Sequence, residues 1–141
     1  MIADIEAVMI ALLDHVRDKV PDFVTTGRRV KHWTQTPAQP AFFLRRTGMI
    51  DRYNGSMPIT TLDCEAWIYC NAGTSQDIAP DEALTVLEKA LRDCFAPDDQ
   101  MRFTLAGLVY WCRIEGKSDI SPGDQGSQAI ARIPIRITLP F

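Results

Sequence analysis

Two stretches of the chain carry apolar residues at spacings of three and four, the periodicity of an amphipathic helix. The first predicted helix covers residues 2–20 and ends before Pro21, and the second runs from Pro80 to about residue 95. The apolar stripes consist of Ile2, Ile5, Met9, Leu12, Leu13, Val16 and Val20 in the first helix, and of Leu84, Leu87, Ala90, Leu91 and Cys94 in the second. Each helix therefore offers one narrow apolar face to a core.

Alternation of apolar and polar residues predicts strands. It is clearest in residues 59–70, and residues 41–46 alternate in the same way. One side of the longer strand carries Leu62, Cys64, Ala66, Ile68 and Cys70, and the other carries Thr61, Asp63, Glu65, Trp67 and Tyr69. A shorter strand is expected at residues 29–33. Residues 47–58 are expected to form a loop that turns at Asn54-Gly55.

The last third of the chain predicts two further strands, at residues 107–115 and 127–139, joined by a polar loop at residues 116–126. A single direct loop favours antiparallel pairing of these strands. Pro134 cannot donate to a strand ladder, so the last strand is expected at a sheet edge or with a bulge. The loop has the composition of an exposed arm that makes a contact.

Together these elements predict one α+β domain over residues 1–141. We expect a mostly antiparallel sheet of four to five strands, with the two helices packed on one face. The apolar content of 46% and the charged content of 23% are ordinary values for a globular protein. The net charge of −3 argues against a nucleic-acid-binding domain, which is usually basic.

The four cysteines, Cys64, Cys70, Cys94 and Cys112, form neither a CxxC pair nor a Cys/His cluster of zinc spacing. They fall on inward positions, so we expect reduced core cysteines, with a Cys64–Cys112 disulfide as the alternative. The first residues lack the positive region of a signal peptide, and the longest apolar stretch, residues 8–13, is too short to cross a bilayer. We expect a soluble, intracellular protein.

Candidate catalytic residues are few. His15 and His32 are the two histidines, and neither accompanies a nucleophile motif. We expect His15 to be solvated on the flank of the first helix. Residues 116–126 lack the Lys-Ser/Thr of a phosphate-binding loop, and Asp119 and Asp124 lack the spacing of a calcium loop. The sequence therefore predicts no catalytic residue, no cofactor and no metal site.

Basic and aromatic residues occur together at residues 28–33, with Arg45 and Arg46 nearby in sequence. Nucleic-acid contact is one interpretation. A protein interface is favoured, because arginine and tryptophan are enriched where proteins meet and the chain is acidic overall. Trp67 and Tyr69 lie on the polar side of their strand, and exposed aromatic residues beside an edge strand indicate a partner. Self-assembly is therefore expected.

Four segments of the chain together resemble one protein family. They are Arg28-Arg-Val-Lys-His-Trp33, Gln39-Pro-Ala-Phe-Phe-Leu44, Leu108-Val-Tyr-Trp-Cys-Arg-Ile-Glu-Gly-Lys117 and Gly126-Ser-Gln-Ala-Ile-Ala-Arg-Ile-Pro-Ile135. The chain is similar to the tail terminator, or tail completion, proteins of tailed phages and prophages. That resemblance implies a homo-oligomeric ring, typically a hexamer, that caps the tail tube and stops its polymerisation. The ring would then present a surface to the head-completion proteins of the neck.

The resemblance also implies action by shape and electrostatic complementarity, without a cofactor. The partners would be further copies of the chain, the tail tube protein and a head-completion or connector protein. Direct nucleic-acid recognition is not expected, although the ring would leave a path for DNA. The protein would reside in the host cytoplasm during assembly and in the tail–neck region of the virion. Another neck or connector protein is the alternative, and a small ligand-binding domain or enzyme with a pocket between helices and sheet is a third.

The residues expected to meet other subunits or partners are polar or aromatic. They are Arg28, Arg29, Lys31, Trp33, Arg45, Arg46, Trp67, Tyr69, Lys117, Asp119, Asp124, Arg132 and Arg136. The loop at residues 116–126 is the first candidate for an arm that reaches a neighbour, and the loop at residues 47–58 is the second.

Overall fold

The computed structural model describes residues 4–72, 80–123 and 128–140. Within them the chain forms two α-helices and six strands. The helices are α1 (Ile5–Lys19) and α2 (Glu82–Asp93), and the strands are β1 (Thr25–Gly27), β2 (Ala41–Asn54), β3 (Met57–Asn71), β4 (Trp111–Ile114), β5 (Asp119–Ser121) and β6 (Gln128–Thr138). They build one α+β domain, so the predicted fold class is confirmed.

The strands form a sheet in the order β1-β2-β3-β6-β4, and β5 also pairs with β6. Among the described residues, all pairs are antiparallel except β1 with β2. The sheet is therefore mostly antiparallel, as predicted, but it has six strands rather than four to five. The additional strands β1 and β5 have three residues each, which is too few for an alternating pattern to identify them.

Both helices cover the same face of the sheet, which we call the inner face. Asp4 caps α1, because its carboxylate accepts hydrogen bonds from the N–H groups of Glu6 and Ala7 at 3.0 and 3.4 Å. The predicted helix stripes are buried at Met9, Leu12, Leu13 and Val16 of α1 and at Leu84, Leu87 and Leu91 of α2. The alternation of β3 and β6 is confirmed as well, because one side of each strand lies in the same core.

The four cysteines are free, and all of them are buried. Burial raises the pKa of the Cys64 thiol to about 12 and that of the Cys94 thiol to about 11. The sulfur of Cys64 lies 3.6 Å from the sulfur of Met9. The prediction of reduced core cysteines is confirmed, and the alternative disulfide between Cys64 and Cys112 is wrong.

Residues 29–33 do not form the predicted strand. The strand lies earlier, at β1, and a 3₁₀ turn follows at Trp33–Gln35. His32 caps this turn, because its Nδ1 accepts a hydrogen bond from the N–H of Thr34 at 3.2 Å. Val30 and Trp33 pack on the sheet from the side opposite the helices, which we call the outer face. Their apolar spacing reflects this packing and not a strand ladder.

Residues 47–58 do not form a loop. The ladder between β2 and β3 continues to the pair Asn54–Met57, with a bulge between Arg46 and Gly48. The chain then reverses through Gly55, whose φ of +66° lies in the left-handed region that favours glycine. The turn predicted at Asn54-Gly55 is confirmed, but the predicted loop around it is wrong. Every residue from 48 to 61 is exposed or half-buried, so no buried stripe identifies these strands.

β6 lies inside the sheet, between β3 on one side and β4 and β5 on the other, so the predicted edge position is wrong. The carbonyl of Pro134 accepts a hydrogen bond from the N–H of Glu115 at 3.3 Å. In an antiparallel ladder the N–H and C=O of one residue point to the same side. The N–H that Pro134 lacks would therefore face the break between β4 and β5. Gly116 occupies this break with a φ of +118°, where a Cβ would lie 3.1 Å from the Pro134 ring.

The strand predicted at residues 107–115 is shorter in the structure, where it is β4. The preceding residues turn around Asp98, whose carboxylate accepts hydrogen bonds from the N–H and hydroxyl of Thr104 and from the N–H of Ala106, at 2.7, 2.8 and 2.9 Å. Partial desolvation alone would raise the pKa of Asp98, but these hydrogen bonds outweigh it and lower that pKa. Val109 is buried in the core, so this apolar run reflects packing rather than strand pairing.

Candidate interface on the outer face and the hairpin arm

On the outer face, Tyr69 is covered by the segment that contains Val30 and Trp33. The Tyr69 hydroxyl donates a hydrogen bond to the carbonyl of Lys31 in this segment, at 2.6 Å. Tyr69 is 3% exposed, and burial raises its pKa. Its ring therefore stabilises the outer face and is not open to a partner while the cover is in place. The expectation of an exposed Tyr69 is wrong, because a segment distant in sequence covers it.

Trp67 is half-buried between two guanidinium groups. Those of Arg45 and Arg132 lie 5.3 and 5.8 Å from the centre of its ring. Both arginines pair with Glu65, at 2.7 and 3.3 Å respectively. Arg132 also pairs with Asp119 and lowers the pKa of that carboxyl group. Four residues of the predicted interface thus come together around Glu65, which the prediction omits.

A second charged cluster lies beside the first, around Arg136. Arg136 pairs with Asp63 at 3.0 Å and with Glu115 at 3.4 Å. Arg113 pairs with the same Glu115 at 3.2 Å, and its guanidinium lies 3.9 Å from the ring centre of Trp111. Arg113 and Arg136 are directly opposite in the ladder of β4 and β6, so Glu115 offsets the repulsion between them.

The predicted basic patch does not form one cluster. Arg28 pairs with Glu6 of α1 and donates from Nε to the carbonyl of Leu44 at 3.2 Å. Arg28 therefore connects α1 to β2 within one copy of the chain. Arg29 and Lys31 are exposed. They remain open to solvent or to a partner.

The polar loop at residues 116–126 folds partly onto the sheet, because β5 lies within it and pairs with β6. Lys117 is exposed in the break before β5. Asp124 lies outside the described residues. Arg46 is exposed on the side of β2 opposite to Arg45, since successive side chains of a strand alternate. The described part of this loop is thus held by the sheet rather than free.

The β2–β3 hairpin ends in residues 48–61, which we call the hairpin arm, and beyond the pair Ile50–Thr61 it extends past the paired part of β6. None of its residues is buried. It exposes three large apolar side chains, Met49, Tyr53 and Met57, by 49%, 74% and 47%. Pairing of β1 with β2 ends at Phe43, so the edge of β2 along the arm has no partner strand among the described residues. The arm therefore combines exposed apolar side chains with an unpaired backbone edge.

A cleft of about 590 Å³ lies between α1, the end of α2 and residues 96–106. His15 lines it, and its Nε2 donates a hydrogen bond to the carbonyl of Cys94 at 2.8 Å while its ring lies 4.8 Å from that of Phe103. The prediction of a solvated His15 is wrong, because residues 96–106 pack against this flank of α1. The cleft lies at the ends of the helices and not between the helices and the sheet.

Within residues 4–72, 80–123 and 128–140, no three His, Cys, Asp or Glu side chains are grouped so that they could hold a metal ion. None of the helices in this part of the chain has the length and apolar character needed to cross a membrane. No protein-family model matches the chain, and no curated protein matches it either.

Proposed function

We propose that this chain is a virion structural protein, a tail terminator whose copies assemble into a ring, with six as the expected number. The ring caps the tail tube, stops its polymerisation and offers a surface to a head-completion protein. In this role the chain acts by shape and charge complementarity, without catalytic residues or a cofactor. The hairpin arm is the observation that carries the proposal.

The hairpin arm gains stability when another molecule covers it. A two-stranded hairpin is marginally stable in water, and between Thr61 and the tip of the arm no third strand from the described part of the chain joins the ladder. Complete burial of an exposed methionine side chain contributes about 1.5–3 kcal/mol, and about half of the Met49 side chain remains to be buried. An exposed strand edge is also a template for pairing with another chain. A neighbouring copy that covers the arm would supply the burial and protect the edge.

A contact made by the arm gives a ring rather than a two-fold dimer if it joins two different surfaces. The arm includes the end of β2, which lies on one side of the β3–β6 pair in the strand order, whereas β4 and β5 lie on the other side. If the arm of one copy contacts a different surface of the next copy, the interface is heterologous. Such an interface closes into a ring when a whole number of equal rotations from one copy to the next adds up to a full turn. Polar groups near the arm, including Arg45 and Glu65, would help to set the register between copies.

The mass and shape of the purified protein test this proposal. We expect native mass spectrometry to detect one closed oligomer, and negative-stain microscopy to show rings with a central opening, in solution or on the ends of tail tubes. A protein that stays monomeric, both alone and with tail tubes, would contradict the proposal. A ring that binds the portal-side protein and not the tube would instead indicate another neck protein.

A further inference from the structure

A small pocket opens on the outer face where the hairpin arm meets β4 and β6. Its volume is about 130 Å³. It is lined by Ile50, Arg52, Thr61, Arg113, Arg136 and Thr138. Three arginines and two threonines therefore line one small space, and Ile50, Arg52 and Thr61 among the lining residues also belong to the hairpin arm.

The register of the strands brings these side chains together. Thr61 of β3 lies opposite Thr138 of β6, and Arg113 of β4 lies opposite Arg136 of β6. Residues two apart in a strand share a face, so both hydroxyl groups and both guanidinium groups lie on the outer side. Arg52 comes from the hairpin arm and adds the third guanidinium.

Two of the three arginines of the pocket share two carboxylates. Arg136 pairs with Asp63 and Glu115, and Arg113 pairs with the same Glu115. Arg52 forms no salt bridge with any carboxylate of the described residues. Three positive charges less two negative charges leave a net charge of +1 at the pocket. An anion would offset this excess.

We propose that this pocket binds a phosphate-type oxyanion. Guanidinium groups present paired N–H donors that match the oxygens of phosphate, and threonine hydroxyls can donate to the same group. The volume of about 130 Å³ is about four times the roughly 30 Å³ that one water occupies in the liquid. One tetrahedral phosphate group therefore fits.

The phosphate group could come from inorganic phosphate in solution or from the phosphodiester backbone of DNA. Neither ligand requires the pocket to recognise a base, since contacts to phosphate carry no sequence information. The pocket is formed within one copy of the chain. A failure of ring assembly would therefore leave the site in place, and the two proposals can fail separately.

Titration with inorganic phosphate tests the site. With chloride as the balancing anion at constant ionic strength, calorimetry is expected to show saturable binding to the wild-type protein. Arg52→Gln removes a charged donor group and is expected to weaken binding roughly tenfold or more. Arg29→Gln, which removes an exposed arginine outside the pocket, is expected to bind phosphate as the wild type does.

A second variant separates a lost ligand contact from a damaged fold. Thr138→Val removes one hydroxyl of the pocket, and we expect weaker phosphate binding with little change in thermal unfolding in chloride. The absence of saturable binding to the wild type would overturn the proposal. So would wild-type affinity in both Arg52→Gln and Thr138→Val.

A short DNA duplex added as a competitor identifies the source of the phosphate. Displacement of inorganic phosphate from the wild type, together with weaker duplex binding by Arg52→Gln, would assign the site to the DNA backbone. Phosphate binding that the duplex does not displace would assign the site to free phosphate. Both titrations need a fixed salt concentration, because contacts to DNA phosphates weaken steeply as salt rises.

Discussion

Replacing the three apolar side chains of the hairpin arm together, as Met49→Ser, Tyr53→Ser and Met57→Ser, is expected to abolish ring assembly and to leave the monomer folded. These side chains are 49%, 74% and 47% exposed, so one copy loses little apolar burial. At an interface only the exposed parts of these side chains would be newly buried, and complete burial of one exposed side chain contributes about 1.5–3 kcal/mol. The three together would then contribute about 2.5–5 kcal/mol. Since about 1.4 kcal/mol corresponds to a factor of ten, association is expected to weaken by about two orders of magnitude or more.

Sedimentation velocity over a concentration series measures this loss, and circular dichroism checks that the variant is folded. The matched control carries Val24→Ser, Val86→Ser and Met101→Ser, at positions that are 64%, 64% and 87% exposed and lie outside the arm. We expect the control to assemble as the wild type does. Rings formed by the arm variant at wild-type concentrations would show that the arm does not make the contact.

Truncation of Phe42 to alanine is expected to lower the free energy of unfolding by about 3–5 kcal/mol. Phe42 is 0% exposed on the inner side of β2, and its ring centre lies 5.2 Å from that of Phe23. Its removal leaves a cavity that the surrounding core can fill only in part. Because single domains are stable by only about 5–15 kcal/mol, this is a large fraction of the total.

Urea unfolding, carried out with the arm variant as the parent protein, measures this effect without a contribution from assembly. Phe42→Leu retains most of the side-chain volume and is expected to cost less than half as much as Phe42→Ala. The exposed Val86→Ala is expected to change stability by at most about 0.5 kcal/mol. A loss below about 1 kcal/mol for Phe42→Ala would contradict the burial of this ring.

Elements with one buried side were predictable from the sequence. The apolar stripes of α1 and α2 and the alternation of β3 and β6 result from burial against the same core. The periodicity of the apolar residues therefore identifies these four elements in the sequence. The hairpin arm has no buried side, so its strands show no periodic pattern of apolar residues, and within the arm only the Asn54-Gly55 turn was predictable. Pro134 is tolerated inside the sheet because of a break between β4 and β5, which depends on contacts distant in sequence.

The candidate interface was predictable as a set of residue types but not as an arrangement. Trp67 lies on the outer face, as its place in the alternation indicates, whereas Tyr69 on the same face is covered by a segment distant in sequence. The pairing of Arg45 and Arg132 with Glu65 depends on the register of three strands. The same holds for Arg52, which meets the other two arginines of its pocket only through the arm.

Termination of a tail tube, the function we propose, is measured by the length distribution of tubes assembled from a cognate tail tube protein. When the wild-type chain is added during growth, we expect elongation to stop and negative-stain images to show a ring at one end of each tube. The Met49→Ser, Tyr53→Ser and Met57→Ser variant is expected to leave elongation unchanged. Tubes that continue to grow at the same rate with the wild-type chain, and that carry no ring at either end, would contradict the proposed function.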